Sequence, residues 1–513
     1  MEINLAASDK IGLSLTVRAL WLLIAKVLAF SLSILLPLLL VRRLSQSEFG
    51  LYKQAFLVVG SGVALLPLGF QMSAFYFLAR EKERQGEIVL NILLWHLLMA
   101  GLGALVLLLF PQLLTTIFHS SDLVSYSSLI AAVIFFWVFS SYLEVVSVAH
   151  QEARLSTVFI ISSQLTKTFL LLLAAIVFGS VRALIYAALV QGMVQTVILL
   201  LYLRSRFPRF WTKFDWSVLR MQLSYAMPFS LAGLLFYVQT DLPNYFVANQ
   251  FDAATYAIYA IGVFNIPLVG MLSESVGSVM IPQVSLLQKQ GDHREITALA
   301  ARVARKLALV YLPLYAFLIV MGREFLTTLF TSQYAASWPI FAINLTLLPL
   351  CMFVSDPIMR AFADHRRFLP KLYVVLISLL FSSLWYGTSR FGLIWAISSV
   401  VGVSIIGRIA TTAKICTILH VRWRDVRLLK DVGKIAIAAA VSAITIAFVR
   451  MAFSGLKPLS MLVICALFFG VVFAATILLL GVPTIDERTY FRKQLSRLWR
   501  PSLKAVGEPV ARS

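Results

Sequence analysis

The residues of this sequence that could do chemistry are a few ionisable side chains within long apolar segments. In the first half of the chain most of them are cations, accompanied by one acid: Arg18, Lys26, Lys53, Lys167 and Glu144. In the second half three acids accompany one cation: Asp241, Glu274, Asp356 and Arg408. An ionisable group inside a membrane is costly, so it usually faces a cavity, forms an ion pair or carries function. The pattern predicts a cationic first half and an anionic second half.

The composition identifies the molecule that must position these groups as an integral membrane protein. Of its 513 residues 60% are hydrophobic and 13% are charged, whereas soluble domains have about 45–50% and about 25%. Cys351, Cys416 and Cys465 have no metal or redox spacing, which excludes a disulfide framework and a cysteine-based zinc site. No P-loop, DxD, HExxH or Ser-His-Asp pattern stands out, so the sequence predicts no enzyme, no ATP hydrolysis, no metal and no cofactor.

Fourteen apolar segments are long enough to cross a bilayer, which takes about 20 residues as a helix. They are 18–41, 51–78, 88–110, 127–148, 156–178, 183–203, 222–246, 254–282, 304–322, 337–359, 369–387, 391–413, 433–452 and 459–482. Such lengths do not suit transmembrane strands, which need only about 10 residues and alternate in polarity. The predicted fold class is an all-α integral membrane protein with 14 transmembrane helices.

The positive charges predict the orientation in the membrane. Most of the 44 lysines and arginines lie in the N-terminus, in the loops after even-numbered segments and in the C-terminal tail. The positive-inside rule therefore places both termini in the cytoplasm. The net charge of +21 thus reflects topology, and no nucleic-acid partner is predicted. Within the tail, residues 490–500 alternate apolar and basic side chains at helical spacing, which predicts an amphipathic helix on anionic membrane lipids.

The sequence contains a weak internal repeat. Residues 44–52 resemble residues 251–259 at an offset of 207, and residues 114–118 resemble residues 326–330 at an offset of 212. An even number of helices per repeat keeps both halves in one orientation, so we expect two six-helix lobes related by a pseudo-twofold axis along the membrane normal. The predicted domains are the first lobe at 1–210, the second lobe at 211–420, helices 13 and 14 at 421–483, and the basic cytoplasmic tail at 484–513.

Several motifs, in order along the chain, give it a resemblance to a known family. They are Arg43-Leu44-Ser45-x-x-Glu48-Phe49-Gly50, Asp241 with Tyr256-x-x-Tyr259, Pro282-x-x-Ser285-x-Leu287, and Gly322-x-Glu324-x-Leu326-x-x-Leu329-Phe330. With these motifs the sequence resembles the Wzx-type polysaccharide flippases of the multidrug/oligosaccharidyl-lipid/polysaccharide exporter superfamily. Ala257 departs from the family pattern, which usually has glycine at that position.

The resemblance implies a flippase that moves a polyprenyl-diphosphate-linked oligosaccharide from the cytoplasmic to the outer leaflet of the bacterial inner membrane by alternating access. Its expected partners are that substrate, membrane lipids, Na⁺ or H⁺, and a polysaccharide polymerase with glycosyltransferases. A diphosphate in a low dielectric needs cations, so Lys26, Lys167, Arg18 and Lys53 are its candidate ligands. For Arg18 and Lys53 the alternative is that they only extend to the membrane interfaces.

The acids of the second half are candidates for ion coupling. Glu274 lies deepest, with Ser273 and Ser275 beside it and Asn265 about two and a half turns back, and Asp241 is the second candidate. Each could bind Na⁺ through oxygen ligands or carry a proton, and Asp241 could instead be a carboxylate at the outer headgroups. The remaining charged residues are expected to form structural or gating salt bridges: Glu144, Asp356, Arg360 and Arg408.

Two other function classes compete with the flippase. An ion-coupled exporter of small amphipathic compounds would share the architecture, although a cationic first lobe disfavours cationic drugs. A polyprenyl-dependent membrane glycosyltransferase or ligase generally needs a large outer loop or domain, and every predicted outer loop here is short.

The coupling hypothesis predicts the effect of one substitution. Glu274→Gln should block ion-driven transport in proteoliposomes while substrate binding persists. The amide cannot bind and release a proton near neutral pH, and it has no negative charge to bind Na⁺. Transport at the wild-type rate, with the same dependence on pH and Na⁺, would remove Glu274 from the coupling mechanism.

Overall fold

The computed structural model describes residues 35–482 except Gln151, Lys213, 363–366 and Ser454. Within the described residues all regular secondary structure is helical, which confirms the predicted all-α membrane class. Arg18, Lys26 and the tail at 484–513 lie outside the described residues, and so does most of the first predicted segment, 18–41.

The helices are numbered in chain order. Those of the first half are α1 (35–40), α2 (Gln46–Leu65), α3 (Ser73–Arg80), α4 (Gln85–Leu109), α5 (Gln112–Phe118), α6 (Ser121–Ser125), α7 (Ser127–Ser140), α8 (Tyr142–Ala149), α9 (Ala153–Val177) and α10 (Val181–Arg206). The later helices are α11 (Trp216–Gln250), α12 (Ala253–Gly262), α13 (Pro267–Gln290), α14 (His293–Phe330), α15 (Trp338–Leu345), α16 (Asp356–Ala361), α17 (Phe368–Leu419), α18 (Lys430–Ala452) and α19 (Pro458–Leu479).

Eight of the described helical stretches are long and apolar enough to cross a membrane, or ten when two bent pairs are each counted as one span. One of the eight, α17, contains two predicted segments, 369–387 and 391–413, joined at Gly392 with a φ of 72°. The multi-pass character is therefore confirmed, while the count of fourteen crossings stays a prediction.

Four predicted segments are each divided into two helices: 51–78, 127–148, 254–282 and 337–359. The first contains α2 and α3, which are bent by 44°, and the third contains α12 and α13, which are bent by 50°. In the first break Gly69 adopts a φ of 65°, which glycine does at little cost. In the third, Pro267 opens α13, where its missing N–H is unneeded. In the repeat, the pair α2–α3 corresponds to the pair α12–α13, and the pair α7–α8 corresponds to the pair α15–α16.

Helices α18 and α19 are attached to the second half through α14. Near one end of α14, the Arg450 guanidinium pairs with the Glu324 carboxylate at 2.7 Å and donates to the Val320 carbonyl at 3.2 Å. Near the other end, Arg305 lies 3.3 Å from Asp431. Charged residues on α14 thus fasten the added helix pair at two levels.

The Arg450–Glu324 pair makes a testable contribution to stability. Arg450→Ala leaves a mostly buried carboxylate without its cation, so we expect the free energy of unfolding to fall by about 1–3 kcal/mol. Thermal unfolding of the purified protein in one detergent measures the loss. The double variant Arg450→Leu with Glu324→Leu removes the unpaired charge and should recover most of it. Equal losses in the single and double variants would contradict this account.

Candidate functional site

The two halves meet where α2 and α12 begin, at the face predicted to be outside the cell. A Cβ atom on Gly50 would lie 1.8 Å from the carbonyl oxygen of Ala253, so the close approach of these helices requires glycine at this position. Both helices begin with a side-chain cap. Ser45 accepts from the N–H of Glu48, and Asp252, 207 positions later, accepts from the N–H of Thr255. Repeat-related helix ends therefore form the contact between the halves.

Two reciprocal hydrogen bonds hold the halves together beside this contact. The Arg42 guanidinium donates to the carbonyl of Thr328 at 3.0 Å, and the Asn249 amide donates to the carbonyl of Thr116 at 3.1 Å. Asn249 follows Arg42 by 207 positions, and Thr328 follows Thr116 by 212 positions. Each half therefore donates to the equivalent carbonyl of the other half. We call these four residues the reciprocal latch.

The acceptors of the latch are helix-end carbonyls. Thr116 and Thr328 lie in the last turns of α5 and α14, where the carbonyls have no partner within their own helix. Both helices are followed by a residue with positive φ, His119 at 49° and Thr331 at 72°, which turns the chain away. The guanidinium of Arg42 also matches the negative end of the α14 dipole. The latch thus satisfies backbone groups that the fold itself leaves unpaired.

Further bonds reinforce the closure at this face. Gln46 donates to the carbonyl of Gln333 at 2.6 Å, and the second proton of the Asn249 amide group reaches the carbonyl of Ile117 at 2.8 Å. His119 Nδ1 donates to the carbonyl of Asn249 at 2.8 Å. Because equivalent residues of both halves lie on one face, these contacts agree with a parallel repeat rather than an inverted one.

At the predicted cytoplasmic face, the start of α11 packs against the first half. The Asp215 carboxylate forms an ion pair with Arg84, which also binds Glu87 at 2.6 Å, and the Asn91 amide donates to the Asp215 carbonyl at 3.1 Å. A hydrogen bond from the Ser217 side chain, with the charge of Arg84, lowers the pKa of Asp215 from its usual value. Helix α11 therefore links the halves across the membrane.

Lys167 and Lys53 lie at the two ends of a row of aromatic rings, and the structure does not bring their ammonium groups together. The Lys167 ammonium lies 4.5 Å from the centre of the Trp137 ring, and the Lys53 ammonium lies 5.5 Å from that of Phe49. Between them, the centre of the Tyr52 ring lies 6.0 Å from that of Phe49 and 4.6 Å from that of Phe56. The centre of the Phe56 ring lies 5.8 Å from that of Trp137. The three rings on α2, Phe49, Tyr52 and Phe56, are spaced three and four positions apart, as expected for one face of a helix. This spacing could have indicated the aromatic row from the sequence, but it was missed.

The charge of Lys167 has a partner in its own half. Glu144 on α8 interacts electrostatically with the Lys167 ammonium. The indole N–H of Trp137 donates to the carbonyl of Ala188 at 2.9 Å, which fixes the ring below the ammonium. Glu144, expected to join a gating or structural salt bridge, thus lies within electrostatic reach of a predicted substrate ligand.

Asp241 belongs to a polar cluster between α2 and α11. The Asn244 amide donates to its carboxylate at 3.4 Å, and the Tyr237 hydroxyl lies close to the same carboxylate. One turn away, the Tyr245 hydroxyl donates to the Ser61 hydroxyl of the first half at 2.8 Å. The cluster brings a carboxylate and three hydroxyl oxygens to the contact between the halves. Na⁺ prefers such oxygen ligands, and a proton on Asp241 would suit the same partners.

Glu274 is exposed on α13. Within the same stretch, a Cβ atom added to Gly270 or Gly277 would have no neighbouring atom within 4 Å. Its neighbour Ser273 bonds to the Tyr311 hydroxyl at 2.9 Å. The expected alignment of Glu274 with Asn265 on one helix is wrong, because Asn265 lies in the break between α12 and α13. Glu274 thus lies on an exposed part of α13, apart from the Asp241 cluster.

The remaining predicted ion pairs have different outcomes. Asp356 and Arg360 form the expected pair one turn apart on α16, at 2.7 Å. Arg408, expected to form a structural or gating salt bridge, has other partners within the described part of the chain. Its guanidinium donates to the Leu350 carbonyl at 3.2 Å and to the Cys351 sulfur at 3.4 Å. Both acceptors lie in the short helical turn Pro349–Met352, which lies beside α17. Arg408 therefore binds a backbone carbonyl and a sulfur atom instead of a carboxylate.

The latch predicts a shift between conformations. Arg42→Ala and Asn249→Ala should each raise the ratio of outward-open to outward-closed protein about fivefold, because one hydrogen bond contributes about 1 kcal/mol. Spin labels at Thr115 and Ser389, after replacement of the three cysteines, report the distance between the halves. Arg43→Ala is the matched control, because Arg43 makes no contact between the halves among the described residues. Unchanged distance distributions in the double variant would contradict the role of the latch.

The fold is similar to the folds of several solved membrane transporters. The lipid II flippase MurJ, in an inward closed conformation, superposes with a TM-score of 0.66 at 13% identity over 92% of this chain and 99% of its own. An inward-facing multidrug resistance MATE family transporter gives 0.58 at 16% identity over 76% and 95%. A MOP superfamily transporter from Pyrococcus furiosus gives 0.53 at 16% identity over 79% and 96%.

The sequence comparison identifies the family. No curated protein matches the sequence, but residues 39–339 match the family described as polysaccharide biosynthesis protein. That stretch includes the latch, the aromatic row and the Asp241 cluster. Because the match covers more than half of its length, the chain belongs to the polysaccharide biosynthesis protein family, with the multi-pass membrane fold of MOP superfamily transporters.

Proposed function

We propose that this protein is a flippase that carries a polyprenyl-diphosphate-linked oligosaccharide from the cytoplasmic to the outer leaflet of the bacterial inner membrane. The observation that carries the proposal is the reciprocal latch, in a chain of the polysaccharide biosynthesis family. Two halves that exchange equivalent bonds at one face suit a carrier that opens alternately to either side. The lobes comprise 1–210 and 211–420, and both termini lie in the cytoplasm.

The energetics of the latch suit alternating access. Its bonds are few, and each contributes about 0.5–1.5 kcal/mol because water replaces it on opening. A closed state favoured by a few kcal/mol leaves the open state at about 0.1–10% of molecules, a population that cargo or an ion can shift. The Arg84–Asp215 contact at the opposite face keeps α11 attached to the first half while the gap between the lobes changes.

The cations of the first half receive the diphosphate. Lys167 and Lys53, with Lys26 and Arg18 in the preceding segment, provide positive charge that offsets the desolvation of phosphate oxygens. Glu144 and the Trp137 ring lie close to the Lys167 ammonium before the substrate arrives. The diphosphate then joins them as a further partner of the ammonium.

A second candidate function is ion-coupled export of small amphipathic compounds. The Asp241 cluster favours it, because a carboxylate with hydroxyl neighbours at the contact between the halves could bind Na⁺ or a proton. Glu274 is the other candidate coupling group. Within the flippase proposal the same ion provides the driving force, and a polysaccharide polymerase with glycosyltransferases supplies and uses the cargo.

The role of Lys167 can be tested by substitution. Lys167→Gln should reduce transfer of a lipid-linked oligosaccharide across proteoliposomes at least about tenfold, since a charge-assisted bond to phosphate contributes about 1.5–3 kcal/mol. Lys167→Arg should retain more activity because it keeps the charge. Lys414→Gln is the matched control, because Lys414 also lies over a ring, Phe368 at 6.0 Å, in the second half.

The same assay separates the two candidate functions. Wild-type protein that moves the lipid-linked oligosaccharide, but leaves a fluorescent amphipathic dye inside the vesicles, supports the flippase. Export of the dye without transfer of the oligosaccharide would overturn it in favour of the exporter. Full activity of Lys167→Gln would remove Lys167 from the substrate path.

A further inference from the structure

A polar cavity of about 780 Å³ opens at the predicted outer face, beside the latch. Its walls come from both halves: one face of α2, residues 118–122 where α5 ends and α6 begins, residues 249–253 where α11 ends and α12 begins, and Ser389. We call this cavity the outer vestibule. Lys53 and Lys167 do not line the vestibule, so the vestibule is separate from the site where these cations are proposed to bind the diphosphate.

The charge of the vestibule is opposite to that expected for a phosphate site. No lysine or arginine is among its described lining residues, whereas two carboxylates are, Asp122 and Asp252. Amides and hydroxyls supply most of the remaining polar groups, among them Gln54, Asn249, Gln250 and Ser389. A phosphate would be repelled here, and a ligand rich in neutral donors would be accepted.

Two acceptors in the lining have no donor. The side chain of Gln54 is 1% exposed, and its Oε1 has no hydrogen-bond partner among the described residues. The Oε1 of Gln250 is also buried and has no hydrogen-bond partner among the described residues. An unpaired buried acceptor is destabilising, so a ligand that brings hydroxyl or amide donors gains free energy here. Carboxylates such as Asp122 add acceptors that can bind two adjacent hydroxyls.

We propose that the outer vestibule binds the oligosaccharide part of the lipid-linked substrate, as an exit site separate from the diphosphate site. This inference rests on the proposed flippase function. A sugar chain carries many hydroxyl donors and little or no phosphate, which matches the orphan acceptors and the negative charge. The free oligosaccharide, without its lipid, contains every group that the vestibule recognises.

Binding in the vestibule is linked to the latch. Asn249 belongs to both, because it lines the cavity and donates to the carbonyl of Thr116 in the first half. His119, which also lines the cavity, donates to the carbonyl of Asn249. A sugar hydroxyl that bonds to Asn249 competes with the carbonyls of Thr116 and Ile117. The arriving glycan thus weakens the bonds that close its own exit, and its binding free energy favours outward opening.

Binding measurements on the full chain in lipid nanodiscs test this proposal. The first probe is the free oligosaccharide released by mild acid from the lipid-linked pool of the producing cells. The second is bare undecaprenyl diphosphate. The variants are Asp122→Ala, at an exposed position in the first turn of α6, and Gln54→Leu, which preserves side-chain size. Gln112→Ala is the matched control, because Gln112 is exposed at the same face outside the vestibule.

We expect the free oligosaccharide to bind wild type and Gln112→Ala equally, and each vestibule variant at least tenfold more weakly. Bare undecaprenyl diphosphate should bind all four proteins alike. An oligosaccharide that does not bind wild type, or that binds both vestibule variants with unchanged affinity, overturns the proposal. Oligosaccharide binding as expected, without any binding of undecaprenyl diphosphate, supports the vestibule and overturns the proposed diphosphate carrier instead.

Discussion

Helix-end carbonyls that lack a partner in their own helix determine how the two halves of this protein meet. In a membrane protein such groups need a donor close by. The carbonyls of Thr116 and Thr328 find theirs in the opposite half, from Asn249 and Arg42. The approach of α2 to α12 brings these donors within reach, and Gly50 permits that approach. The vestibule, the Asp241 cluster and the docking of α11 all lie along this same contact between the halves.

The repeat is preserved in the backbone more clearly than in the side chains. His119 and Thr331, 212 positions apart, both take positive φ after a helix that ends in the latch. Gly179 and Gly392, 213 positions apart, take positive φ where consecutive long helices turn. The side chains of His119 and Thr331 differ, although the backbone turns in the same way at both positions. Chain direction at the ends of the helices is therefore the feature that both halves had to keep in order to exchange the same contacts.

The sequence predicted the membrane class and most helices because apolar length and turn residues act locally. It also predicted the Asp356–Arg360 pair, since one turn of helix fixes that geometry. It missed the latch and misassigned Arg408 for one shared reason. Their acceptors are mainly backbone carbonyls, such as those of Leu350 and Thr328, and a carbonyl has no sequence signature. The sequence suggested acids as the partners of cations, whereas the fold provides unpaired backbone carbonyls.

The charges change sign between the inside of the first half and the outer face. Lys167 lies against Trp137 within the first half, whereas the vestibule beside the latch carries Asp122 and Asp252. A substrate with an anionic diphosphate and a hydroxyl-rich glycan would therefore meet a different surface at each end. Attraction would hold the diphosphate among the cations while the glycan reaches the vestibule, because carboxylates repel phosphate but accept hydroxyl donors. Charge would therefore direct the two parts of such a substrate to separate places on the protein.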